Sequence, residues 1–190
     1  MRDPDKQALR TQLILLRGRL SPGDRQGRSE RAVQHLLASG LLEGVQVVAL
    51  YAARPEEADP YGLEAHVLQS AYPRVRGADL EFCEARKGAL QPAPPWGILE
   101  PTEALPPLLL SSVDLFVVPG VGFGRDGERI GYGRGYYDRT LQAARQARPE
   151  VKAIGFGFAC QVVDGIPMRP GDQRLDGLVT EHGLLRFGPR

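Results

Sequence analysis

Cysteine is almost absent from this sequence, which has only Cys83 and Cys160 in 190 residues. The two lie far apart, and neither belongs to a CxxC or CxxH pair. The sequence therefore predicts neither a disulfide framework nor a zinc site, but two buried free thiols. Histidine is also scarce, and His35, His66 and His182 are scattered without forming a recognisable catalytic triad.

A large excess of charge of one sign is also lacking, because 24 Lys+Arg face 23 Asp+Glu and the formal net charge is +1. This balance argues against a nucleic-acid-binding domain held by bulk positive charge. No window approaches the roughly 18 apolar residues of a membrane span, and the polar residues 1–6 are not followed by a long apolar stretch. We therefore expect a cytoplasmic monomer that binds neither nucleic acid nor membrane.

Glycine and proline, by contrast, are abundant. The 23 Gly and 16 Pro make up about a fifth of the 190 residues, against roughly 12% in average usage. A chain of this length buries about 70% of its unfolded surface, so we expect one domain spanning residues 1–190. The glycine excess indicates either many loops or a segment whose backbone approaches a ligand closely.

Helical and strand patterns alternate along the chain. The predicted helices cover 4–20, 22–40, 61–69 and 134–148, and the predicted strands cover 45–51, 72–76, 80–85, 113–118, 153–158 and 178–180. Strands that alternate with helices at this spacing predict an α/β fold with a largely parallel sheet.

The first predicted helix carries two stripes of side chains. One is apolar and consists of Leu9, Leu13, Leu16 and Leu20. The other consists of Lys6, Arg10 and Arg17 and is centred roughly 70° from the first at 100° per residue. These cations flank the buried face, so they form either a solvated helix edge or part of a binding site.

Residues 119–138, which we call the glycine segment, contain seven glycines and three of the six tyrosines. The segment lies between a predicted strand and a predicted helix, so its N–H groups can converge at a helix N-terminus, where partial positive charge favours phosphate. Arg129 and Arg134 add guanidinium groups suited to phosphate oxygens. The segment is therefore a candidate phosphate site.

Two common phosphate motifs do not explain the glycine segment. Gly122-x-Gly124-x-x-Gly127 fits the dinucleotide fingerprint, but residues 128–131 intervene where the helix should begin, so we interpret the match as accidental. No GxxxxGK[ST] sequence occurs, which excludes a P-loop. What remains is glycine at every second position over 131–135, where absent Cβ atoms let a ligand lie against the main chain.

Two aspartates are candidate metal ligands. Asp138 falls in the first turns of the predicted helix after the glycine segment, and Asp172 falls in a predicted exposed turn before the last strand. A first-turn carboxylate can simply complement the helix dipole. Alternatively, both carboxylates bind Mg²⁺, since Mg²⁺ on a nucleotide typically takes only one or two protein carboxylates beside phosphates and waters.

The run Arg-Ile-Gly-Tyr-Gly-Arg-Gly-Tyr-Tyr-Asp at 129–138 closely resembles the RLGxGxGYYD signature of the 5-formyltetrahydrofolate cyclo-ligases, also called methenyltetrahydrofolate synthetases. The resemblance extends in order to Lys6-x-x-x-Arg10, to the loop at 57–59, to the tryptophan segment at 96–101 and to residues 172–180. The sequence departs from the family at Pro60, where threonine is usual, and at Gly124, where aspartate is common.

This resemblance implies a three-layer α/β/α sandwich around a mostly parallel sheet. It also implies ATP- and Mg²⁺-dependent conversion of 5-formyltetrahydrofolate, polyglutamylated or not, to 5,10-methenyltetrahydrofolate with release of ADP and phosphate. The γ-phosphoryl group would first be transferred to the formyl oxygen, after which N10 attacks and closes the ring. A non-catalytic folate- or nucleotide-binding relative and a small kinase acting on another acceptor remain open.

The resemblance also implies roles for individual residues. Lys6, Arg10 and Arg134 would be the catalytic cations. The ATP site would comprise Lys6, Arg10, Arg129, Ile130, Gly131, Tyr132, Gly133, Arg134, Gly135, Tyr136 and Tyr137. The folate would contact Ala52, Glu57, Trp96 and Tyr136, and Asp138 and Asp172 would hold Mg²⁺.

Overall fold

The computed structural model describes residues 4–94 and 97–188. Its helices are α1 (Pro4–Gly18), α2 (Pro22–Leu37) and α3 (Tyr136–Ala147). Its strands are β1 (Val47–Ala49), β2 (Gln69–Arg76), β3 (Asp79–Glu84), β4 (Gln91–Ala93), β5 (Ile98–Glu100), β6 (Leu115–Val118), β7 (Gly122–Gly124), β8 (Arg129–Ile130), β9 (Lys152–Phe156), β10 (Val162–Val163), β11 (Gly177–Thr180) and β12 (Gly183–Arg186). Short 3₁₀ turns occur at Tyr61–His66, Lys87–Ala89, Leu110–Ser112 and Ala159–Gln161.

A seven-stranded sheet forms the centre of the fold, in the order β12-β11-β9-β6-β1-β2-β3. The strands from β11 to β2 run parallel to one another, whereas the edge strands β12 and β3 pair antiparallel with their neighbours. The largely parallel sheet predicted from the alternating pattern is therefore confirmed. The antiparallel edge strand β12 was not predicted, because it is partly exposed and lacks the buried apolar run that marks β11.

Apolar side chains cover both faces of the sheet. On β6, Leu115 and Val117 join the cluster that contains Leu36 of α2, while Phe116 and Val118 join the cluster that contains Leu141 of α3. Successive residues of a strand point to opposite faces, so one run of apolar residues packs against both helices. The two helices thus cover opposite faces, which confirms the three-layer sandwich.

One predicted helix was wrong. Residues 61–69 form only a six-residue 3₁₀ turn, Tyr61–His66, and β2 begins at Gln69. No side chain caps the start of this turn, and Val67 is already extended at φ −116° and ψ 147°. The Glu64 carboxylate accepts hydrogen bonds from the Tyr72 hydroxyl at 2.9 Å and from the Lys87 amide at 2.7 Å. These contacts tie the turn to β2, so helical spacing over nine residues did not produce an α-helix.

The glycine segment is not a simple loop. Its strands β7 and β8 form an antiparallel hairpin, and β10 pairs with β7 to complete a second, three-stranded sheet. No helix follows Gly127 directly, so the dinucleotide fingerprint is accidental, as predicted. α3 begins only at Tyr136, two residues later than predicted, because Gly135 before it is left-handed at φ +69°.

Helix α1 packs on this second sheet rather than on the central one. Leu13 lies in a small apolar cluster with Val121, Ile130 and Ile166. A Cβ built on Gly122 would lie 2.3 Å from Leu13 Cδ1, so only glycine lets α1 approach the hairpin this closely. The close packing sets the position of the cationic stripe relative to the glycine segment.

The two cysteines are free, but they are not equally buried. Cys83 is fully buried and Cys160 only partly, so the prediction of two buried thiols holds for the first. Across residues 4–94 and 97–188, no helix is both long enough and apolar enough to cross a bilayer.

Candidate active site

The loops that carry the candidate residues meet around α1. The loop containing Glu57 follows β1, and the glycine segment follows β6, the parallel neighbour of β1 in the sheet. Ligands of open α/β sheets commonly bind beyond the carboxyl ends of such strands. Helix α1 lies against the glycine segment, so its cations face the same region.

The cationic stripe of α1 makes specific contacts and is not a solvated edge. The Lys6 side-chain nitrogen donates to Asp172 Oδ2 at 2.6 Å, and Lys6 is only 8% exposed. Arg10 Nε donates to the carbonyl oxygen of Gly131 at 2.8 Å. Two residues predicted to bind triphosphate are thus held against one predicted metal ligand and the glycine segment.

The two predicted metal ligands lie close together. Asp138, in the first turn of α3, accepts a hydrogen bond at Oδ1 from the Gln173 amide at 3.2 Å, and Gln173 directly follows Asp172. Asp172 Oδ2 also accepts from the Arg169 amide at 2.9 Å. The described residues contain no metal-binding group of three or more His, Cys, Asp and Glu. A pair of carboxylates is the number that Mg²⁺ on a nucleotide typically takes from a protein.

Within the glycine segment, Arg129 is buried beside Asp138. Its Nη2 is 3.2 Å from Asp138 Oδ2, and its guanidinium carbon lies 5.6 Å from the centre of the Tyr137 ring. Burial raises the pKa of the Tyr137 hydroxyl, so this ring remains neutral. Arg134 lies on the exposed stretch before α3.

Two predicted site residues, Tyr136 and Ile130, contact other parts of the protein through their side chains. The Tyr136 hydroxyl donates to the carbonyl oxygen of Gly77 at 3.4 Å, so its ring lies toward the turn between β2 and β3. Ile130 is buried against α1, which leaves only its backbone to contact a nucleotide. Trp96 lies outside the described residues.

Residues 50–60, which carry Glu57 and which we call the folate loop, border a cleft of about 590 Å³. The cleft lies between α2 and residues 53–62. Glu57 lines this cleft together with Arg54 and Tyr61, and Ala52 is half-buried just before it. Burial raises the pKa of Glu57, although a hydrogen bond from the Arg54 amide at 3.1 Å and the nearby Arg17 oppose the shift. The carboxylate can accept hydrogen bonds from a ligand that carries N–H groups.

Two side chains join the folate loop to the glycine segment, a link that the sequence did not predict. Arg17 donates through Nη2 to the Tyr132 hydroxyl at 2.6 Å, and the Arg54 guanidinium carbon lies 4.5 Å from the centre of the Tyr132 ring. Arg17 belongs to the same helical stripe as Lys6 and Arg10. That shared stripe was the one signal in the sequence that could have pointed to it.

Comparison with known proteins agrees with this geometry. The model of the 5-formyltetrahydrofolate cyclo-ligase family matches residues 2–181. The cyclo-ligase of Mycoplasma pneumoniae is 26% identical over 184 residues, which cover 93% of this chain and 99% of that protein. The mitochondrial cyclo-ligase of Arabidopsis thaliana is 36% identical over a shorter region of 86 residues, which covers 41% of this chain and 31% of that protein.

Solved structures show the same fold. The NMR structure of 5,10-methenyltetrahydrofolate synthetase from Aquifex aeolicus superposes with a TM-score of 0.82 at 30% identity and covers 97% of this chain and 94% of its own. The synthetase from Mycoplasma pneumoniae gives a TM-score of 0.74 at 25% identity, covering 93% and 99%. Because the family model matches nearly the whole length, the chain belongs to the 5-formyltetrahydrofolate cyclo-ligase family, whose members convert 5-formyltetrahydrofolate to 5,10-methenyltetrahydrofolate with ATP.

Proposed function

We propose that this chain converts 5-formyltetrahydrofolate to 5,10-methenyltetrahydrofolate with MgATP, using the cations of α1, the glycine segment and the two aspartates as one phosphoryl-transfer site. The observation that carries the proposal is the convergence of Lys6 and Asp172 at 2.6 Å beside Asp138 and Arg129 at 3.2 Å. Phosphoryl transfer asks a protein mainly for positioning and charge neutralisation, which this set of groups can provide.

The triphosphate would be bound by cations from two elements. Lys6 and Arg10 would approach from α1, and Arg129 and Arg134 from the glycine segment. The backbone of residues 130–137 would wrap the nucleotide at the start of α3, where the helix dipole favours negative charge. The positive φ angles of Gly133 (94°) and Gly135 (69°) support this role, because they turn the backbone in a way that other residues resist.

Asp138 and Asp172 would hold Mg²⁺. Their donor set fits the ion, since carboxylate oxygens are the ligands Mg²⁺ prefers and two such groups leave room for phosphates and water. When bound, the ion would supply charge neutralisation at the phosphates. Lys6 and Arg129 now neutralise the same two carboxylates, so both cations would become available to phosphate oxygens when the metal nucleotide binds.

The folate would occupy the cleft beside the Glu57 loop, with Ala52 at its edge. A Glu57 carboxylate can accept hydrogen bonds from the amino and ring N–H groups of the pterin. Trp96 would supply an apolar wall for a ring of the substrate. Tyr136 would join the site when its ring leaves the turn that contains Gly77.

The reaction would proceed in two balanced steps. The formyl oxygen attacks the γ-phosphorus, and the bond to the bridging oxygen breaks with its electron pair leaving on ADP. N10 then attacks the formyl carbon and loses its proton, and the carbon–oxygen bond breaks as phosphate departs. Lys6, Arg10 and Arg134 would stabilise the charge on the transferred group. Holding oxygen and phosphorus in line can lower such a barrier by about 7–11 kcal/mol in favourable cases.

We also propose that the chain acts as a cytoplasmic monomer with one catalytic domain. The two free cysteines fit a reducing compartment. The net charge of +1 supports small-molecule substrates rather than nucleic acid. A sedimentation experiment at assay concentration tests the monomer, and a dimer would contradict it.

The activity itself is tested by following the methenyl chromophore with 5-formyltetrahydrofolate and MgATP, with controls that omit each component. We expect product and stoichiometric ADP only in the complete mixture. Folate binding without product would indicate a non-catalytic relative, and ADP release without the chromophore would indicate another acceptor.

Asp138→Asn should abolish most of the turnover. Its matched control is Asp164→Asn, because the Asp164 side chain is 98% exposed and should leave the rate unchanged.

A further inference from the structure

Arg17 is the most deeply buried charged side chain near the candidate site, with only 1% of its surface exposed. Its Nη2 donates to the Tyr132 hydroxyl at 2.6 Å, and its Nη1 approaches the carbonyl oxygen of Gly120 at 3.4 Å. Nη1 also lies 3.9 Å from Glu57 Oε1, while Nη2 lies 3.8 Å from Glu56 Oε1. One side chain of α1 therefore contacts two parts of the glycine segment and lies beside the folate loop.

Burying a guanidinium group is costly unless charged or polar partners compensate for the lost hydration. Arg17 Nε has no hydrogen-bond partner among the described residues, so the compensation is incomplete. Elsewhere on the same helix, Lys6 and Arg10 are assigned to phosphates, which leaves Arg17 without a role in the proposed chemistry. Its position between two loops of the site points to a role in holding them together.

Glu57 is the more buried of the two carboxylates beside Arg17. Its carboxyl group is largely buried, which favours the protonated form. The charged and titratable groups that influence its ionisation come from four elements: Arg17 of α1, Tyr51 after β1, Arg54 and Glu56 of its own loop, and Tyr132 and Tyr137 around the start of α3. Arg17 and Arg54 are the cations of this set, and Arg17 is the more buried.

We propose that Arg17 is a positioning residue for the folate site, which keeps Glu57 ionised and fixes the glycine segment against it through Tyr132. The proposal rests on the assignment of Glu57 to the folate. A carboxylate accepts two or more N–H groups of the pterin, whereas a carboxylic acid donates one hydrogen bond and accepts fewer. Arg17 would thereby act on the affinity for folate without contacting either substrate.

The first test compares pH profiles of kcat/KM for 5-formyltetrahydrofolate in the wild type and in Arg17→Gln. Below the Glu57 pKa the value should fall, because the carboxyl group becomes protonated. Without Arg17 that pKa rises, so the midpoint should move up by about one pH unit, which is about a tenfold loss below the midpoint. A change in the KM for MgATP would report the lost contact with Tyr132 and should not follow this midpoint. An unchanged midpoint in folded Arg17→Gln overturns the proposal.

A double variant shows which carboxylate is responsible. In Glu57→Gln this midpoint should disappear, and adding Arg17→Gln should leave the pH profile unchanged. A midpoint that remains in Glu57→Gln and moves in the double variant assigns the effect to Glu56 and overturns the proposal. If Glu57→Gln alone leaves the KM for folate unchanged, the assignment of Glu57 to the folate fails instead. The two failures are therefore distinguishable.

Two further variants separate this role from a structural one. Arg74→Gln removes another buried guanidinium group, whose Nη2 lies 2.8 Å from Glu81 Oε2. Arg74 is on β2, outside the folate loop, so this variant should not move the midpoint. Arg17→Lys keeps the positive charge on a shorter side chain. Its midpoint should lie between those of the wild type and Arg17→Gln. Should Arg17→Gln fail to fold, carboxyl NMR titration of Glu57 in Arg17→Lys provides the test, and a pKa equal to that of the wild type overturns the proposal.

Discussion

Lys6 and Asp172 lie 166 positions apart in the sequence, yet the Lys6 ammonium nitrogen is 2.6 Å from a carboxylate oxygen of Asp172. The pair brings a proposed phosphate ligand onto a proposed metal ligand. Arg129 and Asp138 repeat the same combination at 3.2 Å. Because each carboxylate already has a cation beside it, binding of a metal nucleotide would exchange partners without leaving a buried charge uncompensated.

This exchange predicts that Lys6→Gln and Asp172→Asn each raise the KM for MgATP by about tenfold or more, since each removes a charged group from the nucleotide. The double variant should raise the KM for MgATP by less than the product of the two single increases, because the two residues contact each other. Steady-state kinetics at saturating folate give both values. Lys152→Gln is the control, since that side chain is 55% exposed and lies on β9. Equal KM values in all variants would contradict the exchange.

Arg134→Ala should lower kcat by about 10²–10³-fold, the range found when one donor to developing charge is removed. The matched control is Arg125→Ala, which removes an arginine from the same segment. The Arg125 side chain is 60% exposed and pairs with Asp164 at 3.1 Å, away from the two aspartates of the site. Rates of chromophore formation, with circular dichroism to verify folding, distinguish the two. A similar loss in both variants would show that general charge, rather than Arg134, matters.

Gly124 lies where the resembled family commonly has aspartate, and Glu128 fills the space that this leaves. A Cβ on Gly124 would be 2.2 Å from Glu128 Oε2, which accepts the Asp126 amide at 3.1 Å. Glu128 Oε1 accepts from Arg174 at 3.0 Å. Gly124→Asp should therefore destabilise the chain by about 1–3 kcal/mol, since it displaces buried charged hydrogen bonds.

Adding Glu128→Asn should restore part of this stability, because the shorter side chain makes room for the new aspartate. Urea unfolding of the two single variants and the double variant measures the coupling. If the two destabilisations simply add, the carboxylate of Glu128 does not replace the missing aspartate.

The sequence predicted those elements whose periodic pattern matches their packing. The stripes of α1 are one such case. The apolar strands β1, β6 and β9 are another, because the side chains of each strand alternate between two buried faces of the sheet. The helix expected at 61–69 was wrong, because contacts of Glu64 with Tyr72 and Lys87, both distant in sequence, favour a tight turn. Local patterns carry no information about such partners.

The same reasoning explains the candidate site. The run at 129–138 identified the glycine segment, because glycine and arginine at fixed spacing have a local meaning. The extent of Arg17 burial was not predicted, because its partners Gly120 and Tyr132 lie more than a hundred residues away in the sequence. Tyr132 stood in the predicted ATP site, but its contact with Arg17 required the packing of α1 on the small three-stranded sheet.

Asp114 provides a pH-dependent contribution to stability that is independent of the site. Burial opposes ionisation, but hydrogen bonds from the amides of Val47 and Gln46, both at 2.8 Å, and from Arg148 lower the pKa of Asp114 below its ordinary value of 3.8. The pKa of Asp114 is thus lower in the folded state than in the unfolded state. Ionised Asp114 therefore stabilises the fold above about pH 4, and this stabilisation is lost as the pH falls through the folded-state pKa.

Asp114→Asn should therefore cost about 1.5 kcal/mol at pH 7 and progressively less toward pH 3. Chemical denaturation at several pH values gives the difference in the free energy of unfolding. Asp164→Asn serves as the control and should show no such trend, because its side chain is 98% exposed. A difference independent of pH would mean that the ionised form of Asp114 is not the stabilising one.

The packing of α1 on the small sheet has a consequence for biosynthesis. The helix is translated before its apolar partners Val121, Ile130 and Ile166, which follow more than a hundred residues later. Until then a ribosome-bound chain exposes both the leucines and the cations of α1. Asp172 is translated later still, so a nascent chain that ends before residue 172 lacks one of the two proposed metal ligands. We therefore expect such a chain not to bind MgATP.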